Sequence, residues 1–253
     1  MVTQVYIHGR LSFSEELSEK TYLVEIEFPE ERAPKPRPFQ FLLVWVPGTD
    51  LLPMSVAGFR EDEVALIVKE KGEGTARLVR YKGFIGVMGP YGAGFEPWSY
   101  NRILFVAGGS GVAPFFYLAE EAAGRGVTVD LAWGVRRGSE FFTPLRVVRE
   151  LKGKVWVATE DCSIGYCGRA SDLAVKLVKE NPDAWDAIIA SGPRGLLREA
   201  CNLLSERIDV YVNVEAYVKC GIGVCGSCTL KPHKLLLCRH GPVFKCSDVR
   251  GYI

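Results

Sequence analysis

Four cysteines near the C-terminus form the clearest chemical motif of the sequence. Cys220, Cys225 and Cys228 are separated by four and then two residues, and Cys238 follows nine residues further on. Three thiolates from one short loop and a distant fourth are the spacing of plant-type [2Fe–2S] ligation. We therefore predict that these four side chains hold a [2Fe–2S] cluster.

Glycines between these cysteines support that interpretation. Gly221, Gly223 and Gly226 let a short loop curl through unusual backbone dihedrals and free its N–H groups to donate to sulfur. The alternative is a structural zinc site with four cysteines, but such sites usually pair two Cys-x-x-Cys knuckles. Only one such pair exists in this segment, so we favour iron and sulfur.

The other four cysteines predict less. The chain has eight cysteines in total, and in a reducing compartment these are metal ligands or redox groups before they are disulfides. We predict a core position for Cys201 and an ordinary buried thiol for Cys246. Cys162 and Cys167 flank a glycine turn and could form a bridge, but we favour free thiols.

Length and composition limit the number of domains, the kinds of partner and the location of the protein. A length of 253 residues corresponds to about two domains with a small appendage. The net charge of +1 gives no indication of nucleic acid or an anionic membrane as partner. No apolar run approaches the roughly 20 residues that span a bilayer, and Met1 to Val5 does not begin a signal peptide. We predict a cytoplasmic protein.

The first hundred residues predict β structure, because β-branched and aromatic runs alternate with Pro, Gly and charged clusters. The predicted strands are 5–10, 21–28, 39–46, 63–68 and 84–88. Residues 33–38 hold three prolines, which remove ladder donors, so this segment is a loop. Short strands joined in this way favour a small antiparallel barrel.

From about Asn101 strands and helices alternate. The predicted strands are 103–107, 127–133, 155–158, 187–190 and 210–214, and the predicted helices are 114–123, 144–151, one capped by Ser171 that runs to Glu180, and 196–205. This alternation predicts a doubly wound parallel sheet. The fold class is thus multi-domain: a β-barrel domain over 1–98, an α/β domain over 99–214 and a small cysteine-rich unit over 215–253.

Two glycine motifs indicate a nucleotide site in the second domain. Gly108, Gly109 and Gly111 follow a strand and open a helix, where backbone can approach a pyrophosphate. Gly192 and Pro193 end another strand at the same predicted sheet edge. Two further residues, Arg136 and Arg137, follow the second strand and could hold a 2′-phosphate, although we favour a solvated basic turn. NAD and NADP both stay open.

Two segments of the barrel half are also candidates. Gly74 and Thr75 belong to a glycine turn suited to phosphate oxygens, and Pro53, Met54 and Ser55 end a loop after an apolar strand. Taken alone, each is a common turn.

The order barrel, nucleotide sheet, cysteine tail resembles the ferredoxin–NADP reductase superfamily over nearly the whole chain. Within it, the chain is most similar to the electron-transfer subunits of NAD-linked dihydroorotate dehydrogenase. The similarity rests on the segments 39–48, 53–55, 72–75, 89–95, 219–228, Cys238 and 241–244. Many members have arginine just before the Pro-x-Ser element, where this chain has Leu52.

That resemblance implies FAD bound by a set of barrel residues, namely Pro53, Met54, Ser55, Ile67, Val68, Lys69, Gly74 and Thr75. It implies electron transfer from the FMN of a dihydroorotate-oxidising partner, through the cluster and FAD, to NAD⁺ in pyrimidine (UMP) biosynthesis. A heterotetramer with two copies of each subunit and no catalytic side chain in this chain would follow. The alternatives are a reductase subunit of a hydrogenase or ferredoxin–NADP oxidoreductase complex, and a non-catalytic zinc-binding regulatory subunit.

Overall fold

A computed structural model describes residues 7–28, 35–148, 151–205 and 208–253. Its first part is a closed six-stranded antiparallel barrel in the order β1-β2-β5-β4-β3-β6. The elements of this part are β1 (Ile7–Ser18), β2 (Thr21–Glu27), β3 (Phe41–Trp45), β4 (Leu52–Arg60), β5 (Glu63–Lys69), helix α1 (Glu73–Arg80) and β6 (Phe84–Tyr91). The predicted antiparallel barrel is therefore confirmed.

Strand β4 departs from the sequence-based prediction, which placed Pro53 to Ser55 at the end of a loop. The strand tolerates Pro53 because residues 52–55 pair only with β3, whereas pairing with β5 begins at Val56. Proline has no N–H to donate, but no ladder bond is lost on the side of β5, because β5 does not pair with Pro53. The glycine turn at Gly72 is also shorter than predicted, because α1 begins at Glu73 and includes Gly74 and Thr75.

The second part is a sheet of seven strands in the order β10-β9-β8-β7-β11-β12-β15, parallel except for the last strand. Its elements are β7 (Arg102–Gly108), α2 (Ala113–Ala123), β8 (Thr128–Val135), β9 (Val155–Thr159), β10 (Tyr166–Cys167), α3 (Ala170–Glu180), β11 (Ala187–Ser191), α4 (Arg194–Leu204) and β12 (Asp209–Asn213). Because the carboxyl ends of parallel strands share one edge, ligands of such sheets bind there.

Two helix predictions need correction. The predicted helix over 144–151 is only a 3-10 turn from Pro144 to Arg146, and residues 149 and 150 lie outside the described residues. The chain must return to the sheet here, where the N–H of Leu131 donates to the Lys154 carbonyl. The predicted cap Ser171 lies inside α3, and its hydroxyl donates to Glu199 at 2.5 Å.

The C-terminal part holds β13 (Thr229–Leu230), β14 (Leu235–Leu236), α5 (Leu237–His240), β15 (Val243–Lys245) and α6 (Cys246–Val249). Its strand β15 adds to the seven-stranded sheet as an antiparallel edge beside β12. Among the described residues, no helix combines the length and apolar character that a bilayer crossing requires. The cysteine-rich tail is thus built onto the nucleotide sheet.

Candidate functional site: a thiol loop beside a cleft

The four predicted ligand cysteines lie in two pairs. The Sγ atoms of Cys228 and Cys238 are 3.3 Å apart and both residues are buried. In the other pair, the N–H of Cys225 lies 3.5 Å from the Sγ of Cys220. In the described part of the chain, no three His, Cys, Asp or Glu side chains converge on one metal position. Two pairs of thiols suit two irons with two ligands each better than one zinc ion with four.

The Cys225 and Cys238 thiols differ in acidity. Hydrogen bonds from Ser227, whose hydroxyl lies 3.3 Å from the Sγ, lower the pKa of the exposed Cys225 thiol to about 6. Burial, together with the adjacent Cys228, raises the pKa of Cys238 to about 12. Metal binding requires deprotonated thiols, and the lowered pKa of Cys225 favours its thiolate.

The loop between the cysteines has the backbone that its glycines predict. Gly221, Gly223 and Gly226 all have positive φ, between +70° and +81°. A Cβ added at Gly221 would lie 2.6 Å from the ring of Tyr91, and one at Gly223 would lie 2.5 Å from Arg239. Glycine is therefore required here for close packing as well as for backbone freedom.

The end of the barrel docks onto this thiol loop. The N–H of Gly92 donates to the carbonyl of Cys238 at 3.1 Å, and that of Ala93 donates to Gly241 at 2.6 Å. The ring of Tyr91 covers Gly221 on one side and lies 6.0 Å from the ring of Phe41 on the other. This contact joins the first and last parts of the chain.

A cleft of about 330 Å³ opens between the three parts of the molecule. Its lining is Phe41, Leu52, Pro53, Met54, Ser55, Ile67, Lys69, Lys71, Thr75, Ser110, Ala113, Asn213, Val214, Glu215, Ala216, Val218, Leu237 and Pro242. Leu237 directly precedes Cys238, one of the four predicted ligands, so the thiol segment forms part of the cleft wall.

The structure brings six of the eight residues that the resemblance assigns to FAD into this cleft. The other two, Val68 and Gly74, do not line it. The side chain of Val68 is buried in the barrel core, as strand alternation requires. A Cβ on Gly74 would lie 2.9 Å from Leu52, so this glycine packs beneath the leucine that replaces the family's arginine.

The Thr75 hydroxyl forms hydrogen bonds within its own turn. It accepts hydrogen bonds from the N–H groups of Lys71 and Gly72, at 2.9 and 3.1 Å. These bonds shape the first turn of α1, whose amino end faces the cleft at Thr75. Lys71 lies along the same wall and favours an anionic occupant. The ammonium of Lys69, which also lines the wall, is paired with Glu140 at 2.9 Å.

The two glycine motifs of the sheet meet backbone to backbone. A Cβ on Gly111 would lie 2.4 Å from the carbonyl of Ser191, and one on Gly192 would lie 2.9 Å from that of Gly108. Gly108 likewise packs against Pro193. Gly109 is different, because it has a φ of +54° and open space in front of it. These motifs share the carboxyl edge of the sheet, where β7 and β11 are neighbours.

Charged residues follow β8 and β9 at the same carboxyl edge of the sheet. Arg137 forms an ion pair with Glu19 of the barrel at 3.1 Å, and both side chains are exposed. The N–H of Asp161 donates to the carbonyl of Arg136, which places an acidic turn beside the basic one. Hydrogen bonds from Ser163 hold the pKa of Asp161 below its usual value, so its carboxylate is charged at neutral pH.

The remaining cysteines correct two predictions. Cys162 and Cys167, predicted as free thiols, form a disulfide whose Cα atoms are 4.3 Å apart. Cys201 and Cys246 are buried as predicted, but they too are joined, with Cα atoms 5.6 Å apart. The second bridge joins α4 to α6, a contact across 45 positions of sequence that local patterns do not reveal.

Several residues that line the cleft were not predicted from the sequence, among them Asn213, Glu215 and Pro242. Asn213 is buried and donates from Nδ2 to the Ser191 hydroxyl at 3.0 Å. Its position at the carboxyl end of β12 is a signal that could have identified it, because ligands of doubly wound sheets bind at that edge. Glu215 and Pro242 carry no such signal.

Comparisons with solved structures agree with this fold. An NADH-dependent reduced ferredoxin–NADP oxidoreductase matches with a TM-score of 0.82 and 20% identity, over 98% of this chain and 91% of that one. Phthalate dioxygenase reductase matches with a TM-score of 0.66 and 13% identity, over 88% and 85%. At these identities the likeness shows the fold alone.

Sequence comparisons are more specific. Residues 215–250 match the family model described as the iron–sulfur cluster binding domain of dihydroorotate dehydrogenase B. A relative from Methanocaldococcus jannaschii is 33% identical over 89% of this chain and 83% of its own length. One from Archaeoglobus fulgidus is 37% identical over 84% and 87%, and one from Methanopyrus kandleri is 34% identical over 99% and 94%. All three carry the name "Probable dihydroorotate dehydrogenase B (NAD(+)), electron transfer subunit". This chain therefore belongs to the family of electron-transfer subunits of dihydroorotate dehydrogenase B.

Proposed function

We propose that this chain carries electrons from the FMN of a dihydroorotate-oxidising partner subunit, by way of a [2Fe–2S] cluster and FAD, to NAD⁺ in pyrimidine biosynthesis. The single observation that carries the proposal is that the thiol segment forms part of the wall of the cleft proposed for FAD. Leu237, the first residue of α5, and Pro242, two residues beyond its end, both line the cleft, and α5 also carries the proposed ligand Cys238. The cluster and flavin supply electron carriage and the exchange between one and two electrons, which side chains do not provide.

The chain's own residues would bind and orient these groups. Cys220 and Cys225 would hold one iron, and Cys228 and Cys238 the other. The barrel residues of the cleft wall would hold FAD, with Lys71 opposite its phosphates. Gly108, Gly109, Gly111, Gly192 and Pro193 are proposed at the nicotinamide nucleotide. No side chain is required as general acid or base.

NAD⁺ is the favoured nucleotide because of the charges at the sheet edge. Arg137 is paired with Glu19, and the Asp161 carboxylate stands beside the turn that carries Arg136. A 2′-phosphate near this turn would meet a negative charge, whereas a ribose hydroxyl could donate to it. The division of the chain at residues 98 and 214, a heterotetramer with two copies of each subunit, and a cytoplasmic location belong to the same proposal.

The visible absorption spectrum and metal content of the purified holoprotein test the cofactors. Flavin and iron–sulfur bands with two irons per chain are expected. A colourless protein that contains zinc would instead establish the alternative of a zinc-binding regulatory subunit. Copurification with an FMN protein that oxidises dihydroorotate would support this function. Copurification with a hydrogenase or a ferredoxin partner would instead support the alternative reductase subunit.

Cys225→Ser tests the relay. Reduction of the bound flavin by NADH should persist, because the cleft is intact and provides an internal control. Electron transfer between the partner subunit and the flavin should fall by at least about two orders of magnitude, as expected when a required redox group is lost. Transfer at the native rate in this variant would show that electrons do not pass through the thiol loop.

A further inference from the structure

A second pair of sulfur atoms lies on the sheet edge, away from the four ligand cysteines. The disulfide between Cys162 and Cys167 closes the loop that connects β9 to the edge strand β10, and both residues are exposed. Cys167 pairs directly with Thr159, the last residue of β9. The bridge therefore holds the two-residue edge strand to the beginning of its own loop.

Cys162 has a strained backbone conformation within this bridge. Its φ of +59° lies in the left-handed region, which residues with a Cβ rarely adopt. Gly165 of the same loop has a similar φ of +68°, as glycine readily does. The covalent bond to Cys167 holds Cys162 in a conformation that its side chain disfavours, so reduction releases the loop to rearrange.

The loop contacts the edge at which a nucleotide would bind. The N–H of Glu160 donates to the carbonyl of Val135, which lines a small recess together with Gly109 and Ser110. The hydroxyl of Ser163 accepts a hydrogen bond from the N–H of Gly138 at 3.0 Å. A change of backbone at Cys162 therefore reaches the end of β8, the strand that pairs with β7 and its glycine motif.

We propose that Cys162 and Cys167 form a thiol–disulfide exchange site for dithiol reductants, and that its oxidation state sets the affinity of the sheet edge for NADH. One thiolate of the reductant attacks a sulfur of the bridge, the S–S bond breaks, and a mixed disulfide forms. The second thiolate of the reductant then releases the protein. Two electrons and two protons end on the protein thiols, and the reductant leaves as its own disulfide. Only the effect on NADH rests on the proposed function.

Exposure makes this pair the accessible disulfide of the two. Cys201 and Cys246 are only 2% and 3% exposed, so a reductant that leaves the fold intact does not reach them. This buried bridge is an internal control in the same molecule.

Alkylation mapping tests the exchange site. The air-oxidised holoprotein is incubated anaerobically with dithiothreitol, treated with iodoacetamide and digested for mass spectrometry. Labels are expected on Cys162 and Cys167 only after reduction, with Cys201 and Cys246 unlabelled, and a disulfide oxidant should reverse the effect. Labelling without reductant, or no labelling at dithiothreitol concentrations that preserve the fold, would overturn the site.

Hydrogen exchange and kinetics test its consequence. Reduction should increase amide exchange over residues 160–168 and raise the KM for NADH by about five-fold or more, the lower end of ordinary coupling between sites. Cys162→Gly is the matched variant, because glycine adopts the positive φ without a bond, and its KM should not respond to reductant. Equal KM values for the two states of the native protein, or an equal response in Cys162→Gly, would overturn the coupling. Failure to bind NADH in either state would reject the coupling and the proposed acceptor together, whereas the mapping decides the exchange site independently.

Discussion

At the scale of single residues, Gly221 carries two constraints at once. Its φ of +70° is a conformation that favours glycine, and its α-carbon faces the ring of Tyr91. Gly226 has nearly the same φ of +73°, but the nearest atom to a Cβ there is the Thr229 hydroxyl oxygen at 3.8 Å. The two positions therefore separate backbone strain from steric collision.

Gly221→Ala should impair loading of the cluster. Both alanine variants should lose about 1–2 kcal/mol from the left-handed backbone, and Gly221→Ala should lose about 1–3 kcal/mol more from overpacking against Tyr91. Iron content after anaerobic reconstitution, together with the thermal midpoint, measures the difference. If Gly226→Ala loses as much iron as Gly221→Ala, the collision with Tyr91 is not the cause.

At the scale of elements, one carboxylate binds the amino-terminal side of the parallel sheet together. Asp130 of β8 is fully buried and accepts hydrogen bonds from the Nε of Arg102 at 2.7 Å, the N–H of Lys154 at 2.7 Å and the Nε1 of Trp185 at 2.8 Å. Because this side is opposite the proposed nucleotide edge, the cluster of partners is structural.

Asp130→Ala should lower the free energy of unfolding by about 3–5 kcal/mol, because it leaves buried donors and a cation without their partner. Guanidinium denaturation measures this loss. Asp130→Asn keeps an acceptor of the same shape and should lose less. Equal stability of the alanine variant and the native protein would contradict this account of the sheet.

The junction between β12 and β15 predicts a dependence on pH. The Lys245 ammonium, at 2.7 Å, and the Tyr100 hydroxyl hold the pKa of Asp209 below its usual value. The unfolded chain regains a pKa of about 3.9. The junction therefore contributes stability above about pH 4, and that contribution is lost as pH falls through the lower pKa of the folded state.

Asp209→Asn should lower the free energy of unfolding at pH 7 by less than about 1 kcal/mol, because the pair is exposed to solvent. The difference from the native protein should shrink below about pH 4. Urea denaturation at a series of pH values measures both. A difference that is the same at pH 3 and pH 7 would show that the charge of Asp209 is not involved.

At the scale of the whole molecule, the three parts share their cores. One apolar cluster combines Leu43 and Met88 of the barrel, Val212 of the sheet, and Cys228 and Cys238 of the thiol segment. The disulfide between α4 and α6 adds a covalent link across 45 positions. Loading of the cluster, docking of the barrel and stability of the sheet are therefore coupled.

Replacing both Cys201 and Cys246 by alanine should lower the free energy of unfolding by about 2–4 kcal/mol, because the bridge restricts a long loop in the unfolded chain. The matched double variant, Cys162→Gly with Cys167→Ala, opens a bridge with a separation of only 5 and should lose less. Thermal unfolding of both variants gives the comparison. A larger loss for the short loop would contradict the argument from loop length.

Features that depend on neighbouring residues could be predicted from the amino-acid order alone. Cys220, Cys225 and Cys228 lie within one short loop, so their spacing alone indicated the ligand set of a cluster. Apolar strands that alternate with helices predicted the parallel sheet, because the period of side-chain burial is a local property. The positive φ at Gly221 was predictable for the same reason.

Features that join distant residues are seen only in the folded chain. The bridge from Cys201 to Cys246, the ion pair of Arg137 with Glu19, and the entry of Leu237 into the cleft wall each depend on how separate elements pack. Strand β4 was not predicted because it contains Pro53. The strand tolerates this proline because residues 52–55 pair with β3 alone, and that pairing exists only in the assembled barrel. The physical reason is common to all four: contact between residues far apart in the chain follows from the packed core, and local pattern does not contain it.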